Sequence, residues 1–103
     1  MESERTQLRD LHVSVIVPAR NEKGNIAPLL ERLPAFGASQ EIIFVEGHSS
    51  DGTWDELARV QKQHEGKKHI VTVKQKGVGK ADAVRAGFSV AQGDLLMILD
   101  ADM

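Results

Sequence analysis

The sequence predicts an α/β fold with a parallel sheet of about four strands and helices on both of its faces. Apolar runs and amphipathic segments alternate along the chain in the order β-α-β-α-β-α-β. The strands begin near residues 13, 41, 70 and 95, an interval that suits crossover connections between parallel strands. Because the strand runs are almost continuously apolar, both faces of the sheet are expected to be covered. The fold class is therefore Rossmann-like.

The first half of the chain contains two predicted strands and one helix. The first strand is Val13–Val17, and Pro18 is expected to end it because proline cannot donate to a sheet ladder. In the helix that follows, Asn25 is the predicted N-cap, which would place Pro28 in the tolerated first turn. The second strand is Ile42–Val45.

The second half contains two helices and two strands. Thr53 is the predicted N-cap of the next helix, with Glu56 completing a capping box. The third strand lies in "HIVTVKQ", and the fourth is Leu95–Leu99. The third helix is expected to end at Gly93. Its predicted apolar face comprises Ala81, Val84, Phe88 and Ala91.

Composition excludes several classes of function. The 103 residues form at most one small domain, and a net charge of −2 gives no strong field to attract nucleic acid. The chain lacks cysteine, which excludes disulfides and Cys-based zinc sites and fits a cytoplasmic location. Residues 1–11 are expected to form a solvated tail rather than a signal peptide, and no apolar run approaches the roughly 18 residues of a membrane helix.

A cluster of polar residues follows each predicted strand. In open α/β sheets, ligands bind outside the carboxyl ends of the strands. The clusters comprise residues 18–22, 46–52, 76–80 and 100–102. Each has a structural explanation by itself, as a helix start, a turn or solvated lysines, but four at one edge predict a site. The "GVGK" stretch is not a phosphate-binding P-loop, because Lys74 and Ala81 occupy positions that require Gly and Ser or Thr.

Asp100 and Asp102 follow a strand that is too apolar to be exposed. Side chains two residues apart on an extended segment point the same way, so both carboxylates can bind one target. Such close like charges favour a cation between them, and oxygen ligands suit Mg²⁺ or Mn²⁺. Simple solvation of the loop is the alternative explanation.

Four stretches together resemble a known family. They are "VSVIVPARNEKGNI", "EIIFVEGHSSDGT", "KGVGKADAVRAGFSVAQGD" and "LLMILDADM". In this order and spacing, they resemble the inverting family 2 glycosyltransferases of GT-A fold, including the dolichyl-phosphate mannose synthase-like members. The resemblance extends from Val13 almost to the end of the chain. It implies that residues 12–103 form the nucleotide-sugar-binding half of a GT-A domain, cut after its Asp-x-Asp motif.

The resemblance also implies a donor site for a UDP- or GDP-sugar. The implied contacts to the donor are Pro18, Ala19, Arg20, Glu22, Glu46, Ser49, Asp51, Lys80 and Asp100. The implied ligands of Mg²⁺ or Mn²⁺ are Asp100 and Asp102. Where the family usually has two aspartates after the second strand, this chain has Glu46-Gly47, which leaves the base of the donor open. Glu46 or His48 could compensate for the missing carboxylate.

No residue of the chain matches the family's catalytic base, which is expected beyond Met103. The parent enzyme is expected to transfer the sugar with inversion to a lipid phosphate or a glycan, in the cytoplasm or at the cytoplasmic face of a membrane. Residues 1–103 alone are expected to be inactive, and to self-associate through the edge of the last strand. The alternative is a non-catalytic nucleotide-binding or interaction module, which Glu46-Gly47 favours. A nucleotidyltransferase is a weaker candidate, because "PARNEKGN" has a single glycine.

Overall fold

The computed structural model of the protein describes residues 10–102 and confirms the predicted order of elements. The strands are β1 (His12–Ala19), β2 (Ser39–Glu46), β3 (His69–Lys74) and β4 (Leu95–Ile98). The helices are α1 (Lys23–Arg32), α2 (Thr53–Gln63) and α3 (Lys80–Val90). Residues 1–9 of the predicted tail lie outside the described residues. None of the helices within residues 10–102 is long and apolar enough to span a membrane.

The four strands form one parallel sheet in the order β3-β2-β1-β4, with a hydrophobic core on each face. The core beneath α1 and α2 includes Val13, Val15, Val17, Ile26, Leu30, Ile42, Phe44, Leu57 and Val60. The core beneath α3 is smaller and comprises Ile16, Ile43, Val45 and Ala83. The prediction of helices on both faces is therefore confirmed. Because all strands are parallel, their carboxyl ends share one edge.

β1 does not end at Pro18, as the sequence predicts, but continues to Ala19, with Pro18 in register with Val45. Alternate residues of a parallel strand bond to opposite neighbours. Ile16 accepts a hydrogen bond from the β4 side, through Leu99 N–H at 2.9 Å. Pro18 therefore faces that same side, where β4 has already ended. Its missing N–H costs no ladder bond, so the strand tolerates it.

The predicted helix caps are wrong. Glu22, not Asn25, precedes α1, and Pro28 consequently lies in the helix interior. For α2 the N-cap is Gly52, with φ of 89°, and Glu56 forms an ion pair with Arg59 instead of a capping box. The start of α1 is set by a contact between loops, described below, rather than by local capping.

The predicted apolar face of α3 is largely wrong, because of its four members only Ala91 packs against a core cluster. Ala83 and Gly87 are the buried residues of the helix, whereas Phe88 is 43% exposed. A Cβ atom on Gly87 would lie 2.6 Å from Ile16 Cγ2, so α3 packs unusually close to β1. Small residues, rather than the largest apolar ones, therefore form the contact with the sheet.

β4 is an edge strand, and its side chains Leu96 and Ile98 are 41% and 50% exposed. Exposed apolar edges favour pairing with another chain. We expect the chain to self-associate at high concentration, and Ile98→Lys to shift it toward the monomer because a charge opposes edge pairing. Light scattering after size exclusion measures this, with the exposed Val78→Lys as a matched control away from β4. A wild-type chain that stays monomeric at high concentration would contradict the prediction.

Candidate functional site

A cleft of about 270 Å³ lies at the carboxyl edge of the sheet. It brings together residues that follow all four strands. Of the residues predicted from the sequence, it is lined by Pro18, Ala19, Arg20, Glu22, Lys80, Asp100 and Asp102. The acidic pair after β4 thus shares one cavity with the loops after β1 and β2.

The loops after β1 and β2 lock together through hydrogen bonds. Asn21 N–H donates to Ser49 Oγ at 2.9 Å, and Ser50 N–H donates to Asn21 Oδ1 at 2.8 Å. Asn21 and His48 both adopt left-handed backbone conformations, with φ of 54° and 61°. Such conformations persist in non-glycine residues only where surrounding contacts fix them. The wall of the cleft is therefore a preformed structure.

The predicted site residues Glu46, Ser49 and Asp51 lie outside the lining of the cleft. Glu46 is buried and accepts a hydrogen bond from Ser49 N–H. Asp51 accepts hydrogen bonds from the hydroxyl of Thr53 and from Lys23 N–H at 3.2 Å. The Thr53 hydroxyl and the backbone N–H groups of Lys23 and Thr53 lower the pKa of Asp51. These carboxylates hold the loops and, through Lys23, fix the start of α1.

The acidic pair after β4 is asymmetric. Asp100 forms an ion pair with Lys80, and the two side chains are 48% and 61% exposed. An exposed pair of this kind contributes only about 0–1 kcal/mol, so it can open. Asp102 is exposed and, within residues 10–102, makes no hydrogen bond or ion pair. In the same part of the chain, no three His, Cys, Asp or Glu side chains are grouped to hold a metal ion by themselves.

Two carboxylates without a third protein ligand fit a particular kind of ion. Mg²⁺ and Mn²⁺ take oxygen ligands, and Mg²⁺ typically binds one or two carboxylates together with water and substrate phosphates. Asp100 and Asp102 match that donor set. The arrangement suits an ion that binds together with a phosphorylated ligand, and it does not suit a closed structural metal site.

Sequence reasoning missed Gln75 and offered His48 only as a substitute for the missing carboxylate, and both line the cleft. Gln75 is 6% exposed and lies directly after β3, and the NH₂ group of its amide donates to Gly79 and Asp82. His48 Nε2 donates to the Gly77 carbonyl at 2.8 Å and joins the loop after β2 to the loop after β3. Polar residues immediately after a strand were the available signal, but the sequence does not show which of them turn inward.

An open parallel sheet with a polar cleft at the carboxyl ends of its strands defines a Rossmann-like nucleotide-binding class of protein. The chain belongs to glycosyl transferase family 2, whose family model matches residues 14–103. This confirms the resemblance inferred from the sequence.

Curated relatives of known activity are similar over most of this chain. Dolichol-phosphate mannosyltransferase of Saccharomyces cerevisiae is 38% identical over 98 residues, covering 90% of this chain and 36% of the relative. Undecaprenyl-phosphate 4-deoxy-4-formamido-L-arabinose transferase of Aeromonas hydrophila is 36% identical, covering 88% of this chain and 29% of the relative. The chain thus spans about a third of the length of these relatives.

Solved structures show the same fold. The mannosyltransferase PcManGT from Pyrobaculum calidifontis, in complex with GDP-Man and Mn²⁺, matches with a TM-score of 0.79 and 29% identity. That match covers 90% of this chain and 28% of the mannosyltransferase. TarS of S. aureus matches with a TM-score of 0.70 at 21% identity, over 88% of this chain and 27% of TarS, which shows the fold alone. The GT-A fold predicted from the sequence is confirmed.

Proposed function

We propose that this chain is the donor-binding part of a metal-dependent glycosyltransferase that transfers a sugar, with inversion, from a nucleoside diphosphate sugar to an acceptor. The observation that carries the proposal is the cleft in which Asp100 and Asp102 meet the loops after β1 and β2. Membership of family 2 and the GDP-Man and Mn²⁺ of the similar mannosyltransferase support it.

In this proposal Asp100 and Asp102 would hold Mg²⁺ or Mn²⁺, which when bound would supply positive charge to stabilise the leaving nucleoside diphosphate. Lys80 is close enough to Asp100 to exchange that partner for a phosphate oxygen, and such charge-assisted bonds are strong. Arg20 and Glu22 line the side of the cleft that would receive the nucleoside.

We assign Glu46, Ser49 and Asp51 to the support of the nucleoside-binding loops rather than to donor contact. Their side chains bond within the loops, outside the lining of the cleft. For the acceptor we propose a polyprenyl phosphate at the cytoplasmic face of a membrane. The curated relatives whose names specify dolichol phosphate and undecaprenyl phosphate support that class.

A second candidate is a module that binds a nucleotide but does no chemistry. Gly47 favours it, because the second acidic residue of the family's usual pair is missing there. The two candidates differ in their need for a divalent ion, because a module without transfer chemistry has no use for a metal that activates the leaving group.

The direct test is calorimetric titration of residues 1–103 with GDP-mannose and UDP-sugars, in Mn²⁺ and in EDTA. We expect weak binding that requires the ion, since two carboxylates and the diphosphate must share it. The chain by itself is expected to turn over neither donor. Equal binding in EDTA would favour the second candidate, and the absence of binding under both conditions would contradict both.

A further inference from the structure

Gln75 lies in the cleft where the loops after β2 and β3 meet. Its backbone N–H donates to the Glu46 carbonyl at 2.8 Å, which ties it to the end of β2. Its side chain faces Gly47, on which a Cβ atom would lie 2.9 Å from Gln75 Oε1. Gly47 does not have a left-handed φ, so a turn does not require glycine here. The missing side chain instead leaves room for the Gln75 amide.

The orientation of the Gln75 amide is fixed by its partners. Nε2 donates to the Gly79 carbonyl at 2.8 Å and to Asp82 Oδ2 at 3.0 Å. Both partners are acceptors, so the NH₂ group must face them and the carbonyl must face away. Turning the amide over would point Oε1 at a carboxylate and a carbonyl.

Gln75 Oε1 is open to the cleft. It accepts no hydrogen bond from the described residues. In the same part of the chain, no buried side-chain nitrogen or oxygen lacks a partner. Oε1 does lack a partner, so it cannot be one of the buried atoms and must be accessible. The space that it faces is the cleft that Gln75 lines.

The sheet order places Gln75 and the acidic pair at opposite ends of the cleft. Gln75 follows β3 and Asp100 follows β4, and β2 and β1 lie between these strands. Three inter-strand spacings correspond to about 14 Å. A nucleoside diphosphate whose phosphates lie at Asp100 and Asp102 can therefore extend along the cleft and place its base at Gln75.

We propose that Gln75 determines the base specificity of the donor site by accepting, at Oε1, a hydrogen bond from a ring N–H of the base. Gly47 leaves Oε1 accessible because it has no side chain. This inference rests on the proposed function. Uracil and guanine carry a ring N–H, whereas the corresponding ring nitrogens of cytosine and adenine are acceptors. Cytosine and adenine would face Oε1 with one lone pair against another, and an unmatched polar contact is costly. The site thus selects the keto bases.

The test is calorimetric titration of residues 1–103, in Mn²⁺, with pyrophosphate, UDP, GDP, CDP and ADP. We expect UDP or GDP to bind about tenfold more tightly than CDP and ADP, the effect of roughly one hydrogen bond with its mismatch cost. The stronger of UDP and GDP identifies the base. Gly47→Ala places a methyl group against Oε1. It should reduce the ratio of the UDP or GDP affinity to the CDP and ADP affinities to about one and leave the pyrophosphate affinity unchanged. Gly24→Ala, at a glycine with nothing within 4 Å, is the matched control.

Gln75→Met is a second variant, which removes the Oε1 carbonyl itself. It tests the role of Oε1 in base preference if Gly47→Ala fails to fold. It should also abolish the preference and keep pyrophosphate binding. Equal binding of all four nucleotides by the wild-type chain, or a preference that survives in a folded variant, would overturn this inference and leave the proposed function intact. If neither pyrophosphate nor any nucleotide binds, the proposed function fails and this inference fails with it.

Discussion

Asp102→Ala is expected to weaken Mn²⁺-dependent binding of a nucleoside diphosphate by at least about 10- to 100-fold. That is the usual cost of removing even an outer partner of a metal ligand, so a direct ligand should cost no less. Asp102 is the critical carboxylate because Asp100 is already paired with Lys80. Asp102 is exposed and bonds to none of residues 10–102, so its removal should leave the fold unchanged. Calorimetry with GDP and UDP measures the affinity, and electron paramagnetic resonance measures bound Mn²⁺.

The matched control for this variant is Glu31→Ala. Glu31 is an exposed carboxylate on α1 that does not line the cleft, so the change in net charge is the same. We expect its Mn²⁺-dependent affinity to equal that of the wild type. If Asp102→Ala binds as tightly as Glu31→Ala, the acidic pair is not the metal site and the transferase proposal loses its chemical basis.

Gly93→Ala is expected to destabilise the fold by about 1–3 kcal/mol, the usual cost of overpacking. The added Cβ would lie 2.6 Å from Ser14 Oγ, 2.7 Å from His12 O and 2.8 Å from Ser14 N. Two of these atoms belong to the backbone of β1, which is paired on both sides and cannot move aside. The sequence predicts Gly93 as the end of α3, but the helix ends at Val90. A glycine is required at position 93 because the chain passes close to the backbone of β1 there.

The same substitution threatens a buried polar network. Gly93 N–H donates to Ser14 Oγ at 2.8 Å, and that hydroxyl donates to Glu41. Gln92 N–H also donates to Glu41, at 2.6 Å. Ser14 and Glu41 are both buried, so any displacement that breaks these bonds leaves unsatisfied polar groups.

Gly24→Ala is the control for packing at Gly93. Gly24 lies in the first turn of α1 and has nothing within 4 Å of its added Cβ. There, alanine should be neutral or stabilise the fold by up to about 1 kcal/mol through helix propensity. Urea unfolding followed by circular dichroism measures both variants. Equal free energies of unfolding for the two would contradict the close contact at Gly93.

The sequence alone determined the class of fold and the edge of the sheet that forms the site. Strand and helix differ in the spacing of their apolar residues, and this spacing is a local property of the chain. Parallel strands with short polar loops have one possible binding edge. The sequence therefore places the acidic pair Asp100 and Asp102 beside Pro18–Glu22.

Only the tertiary structure decided where the helices begin, which face of α3 is buried and which polar side chains enter the cleft. Each depends on partners distant in sequence: Lys23 on Asp51, Gly87 on Ile16, and Gln75 on Gly47. Local propensity does not contain such contacts, and packing between elements overrides it when the two disagree. Gln75 has no motif of its own, and it enters the cleft only because the fold brings the loops after β2 and β3 together.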